Sequence, residues 1–101
     1  MSDENSVAAS ILLEGAGIVD GVRSKTHGAR ERSFRMTAAM WSAYLEVTIT
    51  GEDVAWMMGN LKQARSKCGE KVRDHYVDGS SYPALAGELA LAESSLKPPN
   101  S

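Results

Sequence analysis

Cysteine is almost missing: Cys68 stands alone in 101 residues. One thiol can form no internal disulfide, and no CxxC or Cys/His pairing exists to hold structural zinc. Aromatic residues are scarce at 6%, and proline occurs three times, at Pro83, Pro98 and Pro99. An excess of charge of one sign is missing too: 11 basic side chains face 13 acidic ones, for a net charge of −2. That balance gives no global field to collect nucleic acid, so nucleic-acid partners are not expected. No uncharged run approaches the ~20 apolar residues a membrane span requires. The first ten residues, MSDENSVAAS, are acidic where a signal peptide is basic. These absences lead to an expectation of a cytoplasmic protein without a membrane anchor. The familiar catalytic signatures GxGxxG, the P-loop, HExxH and GxSxG are also absent.

Apolar residues, at 43%, recur mostly at helical spacing. The pattern predicts an all-α domain over residues 1–95, a small bundle of three main helices plus a short C-terminal helix, and a disordered tail over 96–101. The first helix is read from Ser6 to Arg23, with Ser6 as cap and Val7, Ala8, Ile11, Gly15, Ile18, Val19 and Val22 on one face. Ser24 to Arg32 reads as a loop. It opens a basic stretch in which Arg23, Lys25, Arg30, Arg32 and Arg35 are set against Glu31 alone.

The second helix is read from Ser33 to Val47. Phe34, Thr37, Ala38, Trp41 and Leu45 form one stripe, and Met36, Met40, Tyr44 and Val47 form another. So broad an apolar arc suits contact on two sides, and a homodimer is expected. Thr50 followed by Asp53 has the pattern of a capping box and begins the third helix, which ends at Cys68 and Gly69. Val54, Met57, Met58, Leu61, Ala64 and Cys68 are expected to form its core face. Residues 70–81 are polar and read as irregular or briefly helical. Ser81 and Pro83 mark the start of the fourth helix, which runs to about Ser94.

The charged residues suggest the chemistry. Arg65 falls between Val54 and Met58 on the helical wheel, and so is expected inside the apolar stripe. A guanidinium placed there needs a partner: Glu14, Asp74 or Asp78 in a structural ion pair, or the phosphate or carboxylate of a ligand. Lys62 lies one turn earlier and would complete a two-cation clamp. Asp74 and Asp78, four apart, could hold Mg²⁺ together with phosphate oxygens, or merely cap a helix and pair with arginines. His27, beside Gly28, reads as a loop residue able to touch a ligand. The expected ligand-binding set is therefore Arg23, His27, Lys62, Arg65 and Asp78, with Asp74 and Asp78 as candidate metal ligands. No other cofactor is implied, and no catalytic residue is assigned.

Several segments together resemble a known family. They are LEGAGIVDGVR at 13–23, AAMWSAYL at 38–45, ITGEDVAWMM at 49–58, LKQAR at 61–65 and DHYVDGSSYPALAGE at 74–88. The set is similar to small helical proteins of unknown function found in tailed-phage and prophage genomes. Those proteins carry Tyr-Gly where this chain has His27-Gly28. Their layout is also similar to the all-α nucleoside triphosphate pyrophosphohydrolases of the MazG type. That resemblance implies a site for a phosphorylated nucleotide-like ligand, and the phage resemblance adds the expectation of a protein acting on host nucleotide metabolism or sequestering a defence signal. MazG-type enzymes bind Mg²⁺ through ExxE and ExxD clusters, which this chain lacks; Glu14, Asp53, Asp74 and Asp78 would have to substitute. Two other readings stand beside binding: a Mg²⁺-dependent nucleotide pyrophosphohydrolase, and a host-takeover module that binds a host protein without a small ligand.

Overall fold

The computed structural model describes residues 6–95, with the side chains of 21–27 and 92–95 left out of the description. It is all-α, as the periodicity predicts. Among the described residues there are three helices, α1 (Val7–Leu45), α2 (Gly51–Cys68) and α3 (Arg73–Ser95). The first two helices read from the sequence are joined as α1. The expected fourth helix is the C-terminal part of α3.

The expected loop from Ser24 to Arg32 is therefore corrected to helix. The physical reason is what that segment contains. Serine, threonine and histidine cost only a few tenths of a kcal/mol each in a helix, and glycine about 1 kcal/mol. No proline interrupts the ladder, so two good flanking helices can propagate through it. Arg23 and His27 fall in this stretch, outside the residues whose side chains are described.

Each helix end is closed by a local device. Ser6 accepts the Ala9 N–H at 3.1 Å and starts α1. Glu46 ends it in the left-handed conformation at φ 59°, and its N–H donates to Ser42 O at 2.8 Å. The Ser42 hydroxyl then fixes the turn into α2: it donates to Ile49 O at 3.1 Å and accepts from Ile49 N–H at 2.8 Å. Thr50 and Asp53 form the reciprocal capping box read from the sequence, at 3.1 and 2.9 Å. Gly69 closes α2 with its N–H on Arg65 O at 3.0 Å. The short link to α3 is tied down by Lys71 Nζ, which donates to Ser66 O at 2.7 Å.

Small side chains set the helix spacing. α2 and α3 share the most extensive contact. Ala55 and Ala86 are completely buried, with Leu85 beside them and Val19, Phe34, Tyr82 and Leu89 packed around. Gly59 lets Pro83 come close, since a Cβ at Gly59 would lie 3.4 Å from Pro83 Cδ. Pro83 lies inside the continuous helix α3, so the helix start expected at Ser81 and Pro83 is corrected. Gly15 is tighter still: an added Cβ would sit 2.8 Å from the Ser81 hydroxyl, which is itself donated to Val77 O. α1 and α3 touch through this glycine.

The buried face of α2 differs from the expected one. Val54, Ala55 and Ser66 are buried, with Met58, Gly59 and Lys62 half-buried beside them. Met57, Leu61, Ala64 and Cys68 are exposed, so their placement in the core is corrected. Arg65 is exposed as well, which overturns its expected burial in the apolar stripe. The face toward α3 runs 55, 59, 62, 66 with small and polar side chains, while Val54 and Met58 line the junction of all three helices and Met57 points to solvent.

Candidate functional site

Along that inward face of α2, the half-buried Lys62 lies against α3. Its Nζ donates to Asp78 Oδ2 at 2.9 Å, with the lysine side chain 16% exposed and the aspartate 39%. Two of the residues expected at a site are thus brought together, as an ion pair. One turn further along α2, Ser66 Oγ donates to Tyr76 OH at 2.9 Å. These two contacts link α2 to the first turns of α3.

The Lys62–Asp78 pair lies between two hollows. Asp78 lines a cavity of about 430 Å³ where all three helices meet. Its walls are mainly apolar, with Ile18, Val19 and Phe34 from α1, Val54 and Met58 from α2, and Tyr82 and Leu85 from α3. Arg30 also lines it. One terminal nitrogen of Arg30, Nη2, is buried with no hydrogen-bond partner, and the Glu88 carboxylate lies 3.6 Å away.

Lys62 lines the second hollow, a cleft of about 570 Å³ between α2 and α3. The charged residues of this cleft are all of one sign. Lys62, Lys67 and Lys71 line it together with His75, and no aspartate or glutamate does. His75 Nδ1 is buried without a hydrogen-bond partner. Asn60, Gln63 and Ser80 add neutral polar groups, while Trp56 and Tyr76 supply aromatic surface. The Trp56 indole is held by its own helix, donating to Glu52 Oε2 at 3.2 Å. Of the three lysines, Lys62 is already paired with Asp78 at 2.9 Å, which leaves Lys67 and Lys71 as the cations of the cleft without an ion-pair partner among the described residues.

The remaining expected residues lie elsewhere. Arg65 lines neither hollow. Two of its expected partners are engaged elsewhere: Glu14 accepts from Arg73 Nε at 2.7 Å, and Asp78 is held by Lys62; with the third, Asp74, Arg65 makes no ion pair among the described residues. Arg73 also donates to Ser10 Oγ at 3.1 Å, which pins the start of α3 to α1. Asp74 is exposed, and Asp53 is used as a cap. Among the described residues, no group of three or more His, Cys, Asp or Glu side chains is placed to hold a metal ion. Asp74 and Asp78 are one helical turn apart, yet the second meets an ammonium group instead of a neighbouring carboxylate.

Sequence reasoning missed Lys67, Lys71 and Arg30 as members of a hollow. The signal that could have found the two lysines is the run of small residues at Ala55, Gly59 and Ser66, which marks the inward face of α2 and so turns Lys67 toward α3's edge.

The described residues thus form a three-helix unit with a lysine-lined cleft between α2 and α3. Residues 10–90 match the family described as Domain of unknown function (DUF6378), and the chain belongs to it. It is 36% identical over 76 residues to the Gene 55 protein of Mycobacterium phage D29, covering 75% of this chain and 50% of that protein. It is 34% identical over 85 residues to the Gene 55 protein of Mycobacterium phage L5, covering 83% of this chain and 54% of the relative. The chain thus spans about half the length of the curated relatives it matches. No solved structure matches it. Among the described residues, no helix is long and apolar enough to cross a membrane.

Proposed function

We propose that this phage-type protein binds a phosphorylated, nucleotide-like small ligand in the cleft between α2 and α3. The observation that carries the reading is the charge of the cleft: Lys62, Lys67 and Lys71 line it, and no carboxylate does. Lys67 and Lys71 have no ion-pair partner among the described residues; Lys71 Nζ donates one N–H to Ser66 O at 2.7 Å, which leaves its other two for phosphate oxygens. His75 offers a ring nitrogen, and Trp56 and Tyr76 offer flat surface for a base. Arg65, outside the lining, has no part in this site. Such a protein would act by holding a host nucleotide or a nucleotide signal, not by transforming it.

A thermal-shift screen against nucleoside mono-, di- and triphosphates and cyclic nucleotides tests the proposal. A ligand at 100 times its dissociation constant stabilises the folded state by ~2.7 kcal/mol. For a domain of this size that is a shift of roughly ten degrees or more. Parallel assays with Mg²⁺ for release of phosphate or pyrophosphate separate binding from hydrolysis; turnover lost in Asp78→Asn would replace the binding reading with the pyrophosphohydrolase one.

A further inference from the structure

α1 carries a second pattern that the chain's own packing does not use. Ala29, Ser33, Met36, Met40 and Ala43 follow one another at intervals of four, three, four and three residues. This is the a/d spacing of a coiled-coil seam. All five are exposed, and both methionines are 63% exposed. The core-facing side of the same helix is carried by other residues, Phe34, Ala38 and Trp41 among them. The seam holds no charge over about 21 Å of helix.

The charges beside the seam select a partner. Arg32 and Glu46 flank it at equivalent positions, 14 residues apart and at opposite ends. Neither has an ion-pair partner among the described residues of its own chain. Glu46 is placed awkwardly for an isolated molecule. It sits at the negative end of the α1 dipole, where a cation is favoured, and α1 has no basic residue in its last turn.

We infer that α1 pairs antiparallel with α1 of a second copy of this chain, through the Ala29–Ala43 seam. A two-fold axis near Ala38 sets Met36 against the partner's Met40. It also sets Ser33 against the partner's Ala43. In that register Arg32 faces the partner's Glu46, and the symmetry makes the ion pair twice. The cation then lies where the helix end needs one. A parallel register places Arg32 against the partner's Thr37 and leaves Glu46 unpaired, so charge selects the antiparallel arrangement. The cleft between α2 and α3 takes no part in this contact.

Sedimentation equilibrium of the full chain over a concentration series tests this. The wild type is expected to be a dimer. Met40→Glu, on an exposed position, is expected to be a monomer with an unchanged far-ultraviolet circular dichroism spectrum. Arg32→Glu and Glu46→Arg should each raise the dimer Kd by roughly tenfold or more, since each sets like charges together. The double variant Arg32→Glu with Glu46→Arg should restore the wild-type Kd. A wild type that is monomeric at all concentrations overturns the proposal, and so does a dimer unaffected by Met40→Glu. Failure of the double variant to restore association overturns the antiparallel register.

Discussion

Asp78 joins what a sequence reading treats as separate matters, stability and site. Its carboxylate holds Lys62 at 2.9 Å, and the lysine is largely out of water while the aspartate is partly in it. Removing one partner leaves the other charge poorly compensated. Because Asp78 is partly solvated, Asp78→Ala is expected to cost about 1–2 kcal/mol, below the range of a fully buried pair. Urea unfolding measures it, and the double variant Lys62→Met with Asp78→Leu should cost less than the two single changes added together. Cys68 is a second residue-scale test. It is exposed near the C-terminus of α2, not packed in the core. A thiol reagent should therefore modify one cysteine per chain under native conditions, at a rate close to that of the unfolded protein; protection of the native thiol would contradict its placement.

At the scale of elements, α2 is the most self-specified helix. Thr50 and Asp53 close its start reciprocally. Thr50→Ala should cost about 1 kcal/mol, which lowers the melting temperature by roughly 4–8 °C. This helix start was fully legible in the sequence, because a capping box is a local device needing no tertiary information. The same holds for the Phe34–Ala38–Trp41 stripe of α1, and for the outward Met36–Met40–Tyr44 stripe. What local pattern could not supply was the rotation of α2. Met57 and Leu61 look like core residues, yet they are exposed while Ser66 is buried. The face that turns inward is chosen by how closely α3 approaches, and that distance is set by pairs such as Ala55–Ala86 and Gly59–Pro83. The burial assigned to Arg65 failed for the same reason, since rotating the helix carried it outward. The continuity of α1 was hidden because glycine and serine weaken a helix without forbidding it.

The whole molecule combines three helices with two surfaces for which a use is proposed, the α2–α3 cleft and the α1 seam. Lys62, Lys67 and Lys71 line one cleft because α2 and α3 meet at a close, small-residue contact and the α2–α3 link returns Lys71 beside Ser66. The lysines lie within ten residues of one another, yet their spacing of five and four matches no binding motif, so nothing in the sequence announces the cleft. Lys62 and Asp78 were both legible as candidates, while the cleft itself exists only once the helices are packed. The proposed seam on α1 shares no residue with the cleft lining, so the proposed ligand binding and the proposed self-association can be tested separately. The measurement that tests the central claim most directly is calorimetric titration of nucleoside phosphates into the wild type, into Lys67→Glu with Lys71→Glu, and into Arg65→Ala. Saturable binding by the wild type and by Arg65→Ala, lost in the double lysine variant and weakened by salt, is the predicted result. Binding that survives the loss of both lysines, or no heat from any nucleoside phosphate with the wild type, would contradict the account.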